Sequence, residues 1–363
     1  MKDCMTIDCN DSGVPFVVAR MNCRLDELLK RPPMDSMCDF VPFRTNCFQD
    51  NTEGLVGIQV TIFDCGGIVI GVCMHHRISD AMSMRIFIKC WADETAIDFQ
   101  MPKADVVNPD FTTARELFPP VEFIPKEIQK ILNYNHFEES KFVQRRYVFD
   151  KNAIASLQSK TSNDATPNKP TRNIALTSFI WKHMMEASRI IRGSSFNSLE
   201  TFMVNLRPRF QPPLSSNTFG NLWWIGFRSC DVSLDGEIMK PELCNIMDHT
   251  HLDNDYVKEL QKPGVIFQFI QGIQNDANES VKTIVFSNWC NLGHYNIDFG
   301  WGRPIWIAYA HKNNVLNNRG TFLMDSPLGI EIWVIAKEDE ISILESNQEF
   351  LEYASINPSV IQG

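Results

Sequence analysis

The chain lacks any run of about 18 apolar residues, the length a membrane-spanning helix needs. Its mean hydropathy is slightly negative, at −0.18. The N-terminal Met1-Lys2-Asp3-Cys4-Met5-Thr6 has no apolar core of the kind a secretory signal requires, so no such signal is expected. Positive charge is also scarce. Lys and Arg number 34 against 44 Asp and Glu, a net charge of −10. That balance argues against non-specific nucleic-acid binding, which needs a basic surface, but it is compatible with a local basic pocket for an anionic cosubstrate. None of the 11 cysteines forms a Cys-x-x-Cys pair, so neither a redox motif nor a zinc ribbon is expected. An odd number of cysteines without a signal fits reduced thiols in a cytoplasmic protein. Cys65, Cys73, Cys90 and Cys290 lie in apolar contexts and are expected to be buried. The glycosylation sequons at Asn10 and Asn278 are then chance matches. No internal repeat or low-complexity tract is present.

What is present is ordinary for a globular protein: 44% apolar and 21% charged residues over 363 positions. Leu55 to Phe63 alternates, with Ile58, Val60 and Ile62 on one side and Gln59 and Thr61 on the other. Asp64-Cys65-Gly66-Gly67 breaks the run, and the β-branched stretch Ile68 to Met74 follows, which predicts a hairpin. Met84, Phe87, Ile88 and Trp91 then recur at helical spacing. Met101 to Pro125 carries five prolines with little periodicity and reads as a long surface connection. Further on, a strand is expected over 141–149 and a helix over 152–160, then a polar loop over 161–172 and a helix over 177–192. Strands are expected over 265–270, 305–310, 321–324 and 329–336. Helices and strands interleave without a fixed repeat, which places the chain in the mixed α/β class.

The most informative stretch is His75-His76-Arg77-Ile78-Ser79-Asp80-Ala81, where a strand gives way to a helix. A histidine at a strand end can be held rigidly with its imidazole facing a cavity, as a general base must be. The plainer alternative is a loop histidine satisfied by backbone. Asp80 at a helix start also has a plain role as an N-cap. Downstream, Asp298-Phe299-Gly300-Trp301-Gly302 places two glycines around a tryptophan. This pattern reads as a structural turn under a bulky Trp301 anchor, organising a site rather than reacting. His249-Thr250-His251 lies in a polar, acidic stretch, and no metal is expected there. Arg145-Arg146 reads as strand-edge charge, with contact to a nucleotide as the alternative.

His76-x-x-x-Asp80 followed by Asp298-Phe299-Gly300-Trp301-Gly302 resembles the plant BAHD acyltransferases, which transfer acyl groups from coenzyme A thioesters. Intervening blocks match too: Val204-Asn205-Leu206-Arg207-Pro208-Arg209, Phe219-Gly220-Asn221, Ser287-Asn288-Trp289-Cys290 and Gly329-Ile330-Glu331-Ile332-Trp333. Asp8 to Phe16 also resembles a family block, and the likeness runs along essentially the whole chain, nearest to the alkaloid-acetylating branch.

The resemblance implies a two-lobed fold like that of chloramphenicol acetyltransferase. Residues 1–118 would form the first lobe, 119–133 a crossover and 134–363 the second lobe. It implies His76 as general base and Asp80 turned away from the channel to pair with Arg207. Asn288 and Trp289 would support the tetrahedral oxyanion, and Asp298, Gly300, Trp301 and Gly302 a scaffold turn. Acetyl-CoA is the implied cosubstrate, with no permanently bound cofactor, and an alkaloid or terpenoid alcohol the acceptor. The implied enzyme is a cytoplasmic monomer without nucleic-acid or membrane partners. Family members carry more sequence before the block at Asp8, so the first lobe is expected to be shortened, exposing apolar surface and a strand edge that an oligomer would cover. A shortened lobe leaves other readings open. One is a relative that binds a small molecule or a partner protein without acyl transfer. Another is a repurposed catalyst in which His76 moves a proton for a cyclisation or an elimination.

Overall fold

The computed structural model describes residues 10–42, 55–98, 107–119, 142–161, 170–194, 197–230, 253–276, 281–310 and 320–361. The crossover expected over 119–133 lies outside them except for Pro119, as do His249-Thr250-His251, Asn278 and the block from Asp8 as far as Cys9.

The hairpin read from the sequence is present. Strands β1 (Phe16–Met21), β2 (Val56–Phe63) and β3 (Ile68–Met74) form a three-stranded sheet in that order. β1 runs parallel to β2 and β3 antiparallel to it. The polar side of the β2 alternation is the more deeply buried one: Gln59 and Thr61 are 7% and 3% exposed. A 3-10 turn over Met34–Phe40 covers it. Gln59 Nε2 donates to the Asp39 carbonyl at 2.8 Å and to Thr61 Oγ1 at 3.0 Å, so the buried amide is satisfied. The approach is close enough that a Cβ on Gly71 would meet the Phe40 carbonyl oxygen at 1.8 Å. At the sheet edge, β1 leaves Phe16, Val17 and Val18 exposed.

Strands β4 (Phe142–Asp150), β5 (Asn197–Asn205), β6 (Trp223–Cys230), β7 (Val281–Asn288), β8 (Gly320–Ser326), β9 (Gly329–Lys337) and β10 (Ser355–Ile356) form a second, seven-stranded sheet. Its order is β10-β4-β9-β8-β7-β5-β6. The pairing is antiparallel except where β7 lies parallel to both β5 and β8. The described helices are α1 (Leu25–Lys30), α2 (Ala81–Asp98), α3 (Thr113–Leu117), α4 (Lys151–Lys160), α5 (Arg172–Arg192), α6 (Asn254–Leu260), α7 (Val265–Asp276), α8 (Glu338–Ser346) and α9 (Gln348–Tyr353). The 161–172 stretch holds the first residue of α5, because Thr171 accepts from the Ile174 N–H and caps the helix there. The apolar stripe Phe179, Ile180, Met184 and Ala187 is buried as its period requires. On α2 the period misplaces the core: Met84, Phe87, Ile88 and Trp91 are half-buried, and Ser83, Ile86 and Ala92 are the fully enclosed positions.

Two predicted strands are corrected. Val265 to Ile270 opens helix α7, since a short apolar run does not by itself separate strand from buried helix. Ile305 to Ala310 has no regular structure. Instead it delivers Trp306 to the sheet face opposite the helices. There Arg146 is 0% exposed and forks onto Glu331, with Nε at 2.8 Å and Nη2 at 2.6 Å from the two carboxylate oxygens. Arg146 Nη1 donates to the Pro358 carbonyl at 2.7 Å, and the guanidinium lies 5.2 Å from the Trp306 ring centre. Arg146 is therefore an internal tie rather than the strand-edge charge read from the sequence, while Arg145, 3.6 Å from Glu345, is half-buried. The opposite face of β9, with Ile330, Ile332, Val334 and Ala336, packs under α4, α5, α8 and α9 as the main core.

Breaking a buried pair leaves one charge uncompensated, at a cost of about 3–5 kcal/mol. Glu331→Gln is expected to lower stability by that order, read as the midpoint of urea unfolding. Lys182 and Glu349 form an exposed pair at 2.7 Å, and Lys182→Ala is expected to cost about 1 kcal/mol at most in the same assay.

Candidate active site

His75 and His76 follow directly on the end of β3. His75 is buried, and its Nδ1 accepts the Arg77 N–H at 3.1 Å. His76 is exposed, its ring edge-on to Trp223 with centroids 5.7 Å apart. Its carbonyl accepts from Asn221 Nδ2 at 2.7 Å. The small sheet thus supplies His76, and residues at the start of β6 in the large sheet hold it.

Four residues downstream, Asp80 does two jobs. Oδ1 accepts the Ser83 N–H at 2.8 Å, an N-cap for α2. The same carboxylate is gripped by Arg207, with Nη1 at 2.8 Å from Oδ2 and Nη2 at 3.2 Å from Oδ1. Oδ2 also accepts the Leu222 N–H at 3.1 Å. Arg207 is 2% exposed and Asp80 7%. Nε of Arg207 donates to the Thr218 carbonyl at 2.9 Å, and its remaining donors reach Asn205 Oδ1, Ser83 Oγ and the Gly220 carbonyl. Ser83 Oγ in turn donates to the Gly220 carbonyl and accepts the Gly220 N–H, each at 2.9 Å. Each donor of the guanidinium fork has an acceptor, which is what a buried Arg–carboxylate pair needs to offset its desolvation.

Ser83, Thr218, Asn221, Leu222 and Trp223 were not singled out as site residues from the sequence. Asn221 lies in a block that carried the family resemblance, and Ser83 stands three residues past Asp80, the spacing a capping pair uses. The described part of the proline-rich connection is not a bare loop. It carries α3 and exchanges backbone hydrogen bonds with Asn217 and Phe219, reinforcing the segment that holds Arg207. Hydrogen bonds from Thr113 and Thr112 hold the Asp110 carboxyl well below the usual carboxylate range.

The other motif residues cluster beside α2. Asp298 Oδ1 accepts the Gly300 N–H at 2.8 Å and the Gly302 N–H at 3.0 Å. The two glycines have φ of 98° and 123°. The anchor is Phe299, not Trp301. Phe299 is buried 4.8 Å from the Trp91 ring, whereas Trp301 is 53% exposed and stacks on Phe299 from outside. Phe299 inserts between Ala92, Ile88 and Ile70, so a smaller ring than indole fills the space. Asn288 ends β7, and its Oδ1 accepts the Cys290 N–H at 2.9 Å. Trp289 Nε1 donates to Ser287 Oγ at 3.1 Å, so its one polar donor is already engaged. Cys290 is buried, and desolvation pushes its thiol up to about 12. Cys65, expected inside, is exposed at the hairpin turn, and Cys73 and Cys90 are half-buried.

Two substitutions test this arrangement. Arg207→Lys keeps the charge but cannot span the Asp80 oxygens, the Thr218 carbonyl and Ser83 together. It is expected to lower Tm and turnover together. Gly300→Ala places a Cβ at positive φ, a strain of about 1–3 kcal/mol, and is expected to reduce soluble yield. Differential scanning fluorimetry on the purified variants checks both.

A family model described as the Transferase family matches residues 2–351. The chain is 34% identical over 374 residues to akuammiline synthase 2 of Alstonia scholaris, covering 99% of this chain and 81% of that protein. It is 32% identical over 374 residues to limonoid 7-O-acetyltransferase of Citrus sinensis, covering 99% of this chain and 80% of that one. The crystal structure of vinorine synthase superposes with a TM-score of 0.77 at 26% identity, over 98% of this chain and 80% of that chain. With the two motifs, the two mixed sheets and these relatives in agreement, the chain belongs to the Transferase family, the BAHD acyltransferases.

Proposed function

We propose that the protein transfers an acyl group, by preference acetyl, from coenzyme A to the hydroxyl of an alkaloid or terpenoid alcohol, with His76 as the general base. The observation that supports this best is the placement of His76 between the two sheets, held through Asn221 and through the Asp80–Arg207 pair. In this mechanism a ring nitrogen of His76 takes the acceptor's hydroxyl proton as the oxygen attacks the thioester carbonyl. The tetrahedral adduct collapses with cleavage of the C–S bond. His76 then returns the proton to the departing thiolate, giving ester and free coenzyme A. General-base help of this kind contributes about 10²–10⁴-fold.

Asp80 does not orient the imidazole, because its oxygens are engaged by Ser83, Arg207 and Leu222. Its role is to hold the loop, unlike the aspartate of a hydrolase triad. Of the two oxyanion candidates the Trp289 N–H is engaged by Ser287 and the Asn288 carbonyl oxygen by the Cys290 N–H, so the oxyanion role is assigned to the Asn288 carboxamide N–H. No acyl-enzyme is needed, and a buried thiol raised as far as that of Cys290 is a poor nucleophile.

The reading includes a cytoplasmic monomer with no nucleic-acid or membrane partner. Among the described residues Cys23, Cys65, Cys90 and Cys290 are in no disulfide, as in a reducing compartment. The net charge of −10 disfavours a polyanion. Among the described residues no helix is long and apolar enough to cross a membrane.

His76→Ala is expected to lower acetyl transfer from acetyl-CoA by about 10²-fold or more while Tm stays within about 2 °C of the parent. Radiolabelled acetyl-CoA with a panel of alkaloid and terpenoid alcohols gives the readout. A variant that keeps most of its turnover would sink the mechanism.

A further inference from the structure

The turn that follows β7 encloses a cavity of about 320 Å3, the lower end of what small-molecule sites occupy. Trp289, Tyr295 and Met324 supply apolar walls, and His294 and Asp325 supply polar ones. Asp325 stands on β8, and its Oδ2 accepts the Asn291 N–H at 2.5 Å. Its other oxygen, Oδ1, has no hydrogen-bond or ion-pair partner among the described residues and is not sealed from solvent.

Asp325 is the one charged side chain among the residues lining the cavity. Burial first and then the Arg85 guanidinium push the His294 imidazole down to about 4, so the ring is neutral near pH 7. Burial raises the Tyr295 phenol, which is neutral there too. Arg85 is not part of the lining. It stands behind Gly293, with Nη2 3.7 Å from the position a Cβ on that glycine would take. A cation in the cavity therefore meets the Asp325 carboxylate directly and the guanidinium only through the wall.

The cavity also adjoins the oxyanion position. Trp289 follows Asn288, the residue assigned to support the oxyanion, and its N–H donates to the Leu323 carbonyl at 2.8 Å. Leu323 is the register partner of Asn288, and Asp325 lies two residues further along β8. Strand geometry then sets the Asn288 and Asp325 Cα atoms roughly 8 Å apart, with both side chains on one sheet face.

Resting on the acyl-transfer reading, we propose that this cavity binds the acceptor through a protonated amine, with Asp325 Oδ1 accepting its N–H. The acceptor is then a basic amino alcohol rather than a neutral one. An acceptor carboxylate would meet a like charge. A neutral hydrocarbon filling the cavity would strip water from Oδ1 and leave it unpaired, which is costly. An ammonium gives that oxygen a charge-assisted bond, roughly twice as strong as a neutral one. The rings of Trp289 and Tyr295 add the attraction of aromatic faces for a cation.

Quinuclidinol and its carbocyclic analogue, in which CH replaces the bridgehead ammonium, are alcohols of nearly the same shape that differ in charge. With radiolabelled acetyl-CoA as donor, the wild type is expected to favour quinuclidinol by about tenfold or more in kcat/KM, mostly through KM. Asp325→Asn keeps an acceptor for the Asn291 N–H and removes the charge. It is expected to collapse that ratio to within about threefold. Asp325→Ser, which also keeps an acceptor, gives the same test should the asparagine variant not fold. Binding without turnover is followed by tryptophan fluorescence in His76→Ala, where quinuclidinol should bind about tenfold more weakly once Asp325 is also replaced. If both alcohols are acetylated equally well, or the preference survives replacement of Asp325, the proposal is overturned while acyl transfer stands. If neither is acetylated but quinuclidinol binds in an Asp325-dependent way, acyl transfer fails and amine recognition stands. A wild type that neither binds nor acetylates quinuclidinol overturns the proposal.

Discussion

The contact between Arg207 and Asp80 is the constraint on which the rest of the site depends. It joins residues 127 positions apart, one at the mouth of the small sheet and the other past the end of β5 in the large one. The carboxylate caps α2, so the helix start, the loop before it and the segment Thr218–Leu222 share one set of hydrogen bonds. His76 has little rigidity of its own. It is exposed, and the interactions that place it are a ring contact with Trp223 and a backbone bond from Asn221. Both partners belong to the segment that Arg207 holds. A loop that must deliver an imidazole to within about 1 Å is thus fixed from behind rather than by its own contacts.

A second arginine uses the same device for a different end. Arg146 forks onto Glu331 across β4 and β9 and is roofed by Trp306. It ties the chain's last described stretch to the large sheet through the Pro358 carbonyl and lies far in sequence from both motifs. One buried pair therefore braces the large sheet and the other ties the two sheets together at the catalytic loop. Against these, the exposed pairs on α1, α5 and α6 contribute little, because solvent and salt screen them.

How much of this was legible in the sequence depends on the range over which each signal acts. The β2–β3 hairpin and α5 are written in local periodicity and turn chemistry, and they formed where expected. The run Val265 to Ile270 is too short and too uniformly apolar for periodicity to separate helix from strand, and it folded as α7. That Gln59 and Thr61 are buried is not legible locally, because nothing in the alternation shows that Met34–Phe40 will lie over them. Arg146 looked like edge charge because its partner Glu331 is 185 residues away. The pairing of Asp80 with Arg207 came from family resemblance, since no spacing rule reaches across 127 residues. In the Asp298 motif the glycines announced their backbone, but which ring is buried was decided by the room left between Ala92 and Ile70, and Phe299 took it.

The most direct measurement is a double-mutant cycle on Asp80→Ala and Arg207→Ala, scored on both unfolding free energy and kcat. Each single change leaves a buried charge alone, at about 3–5 kcal/mol, while the double removes both charges. The expected result is that the double variant is no less stable than either single one, a coupling of about 3 kcal/mol, with kcat lost to a similar degree in all three. Additive effects, agreeing to within about 0.5 kcal/mol, would contradict the view that this one pair holds the catalytic loop.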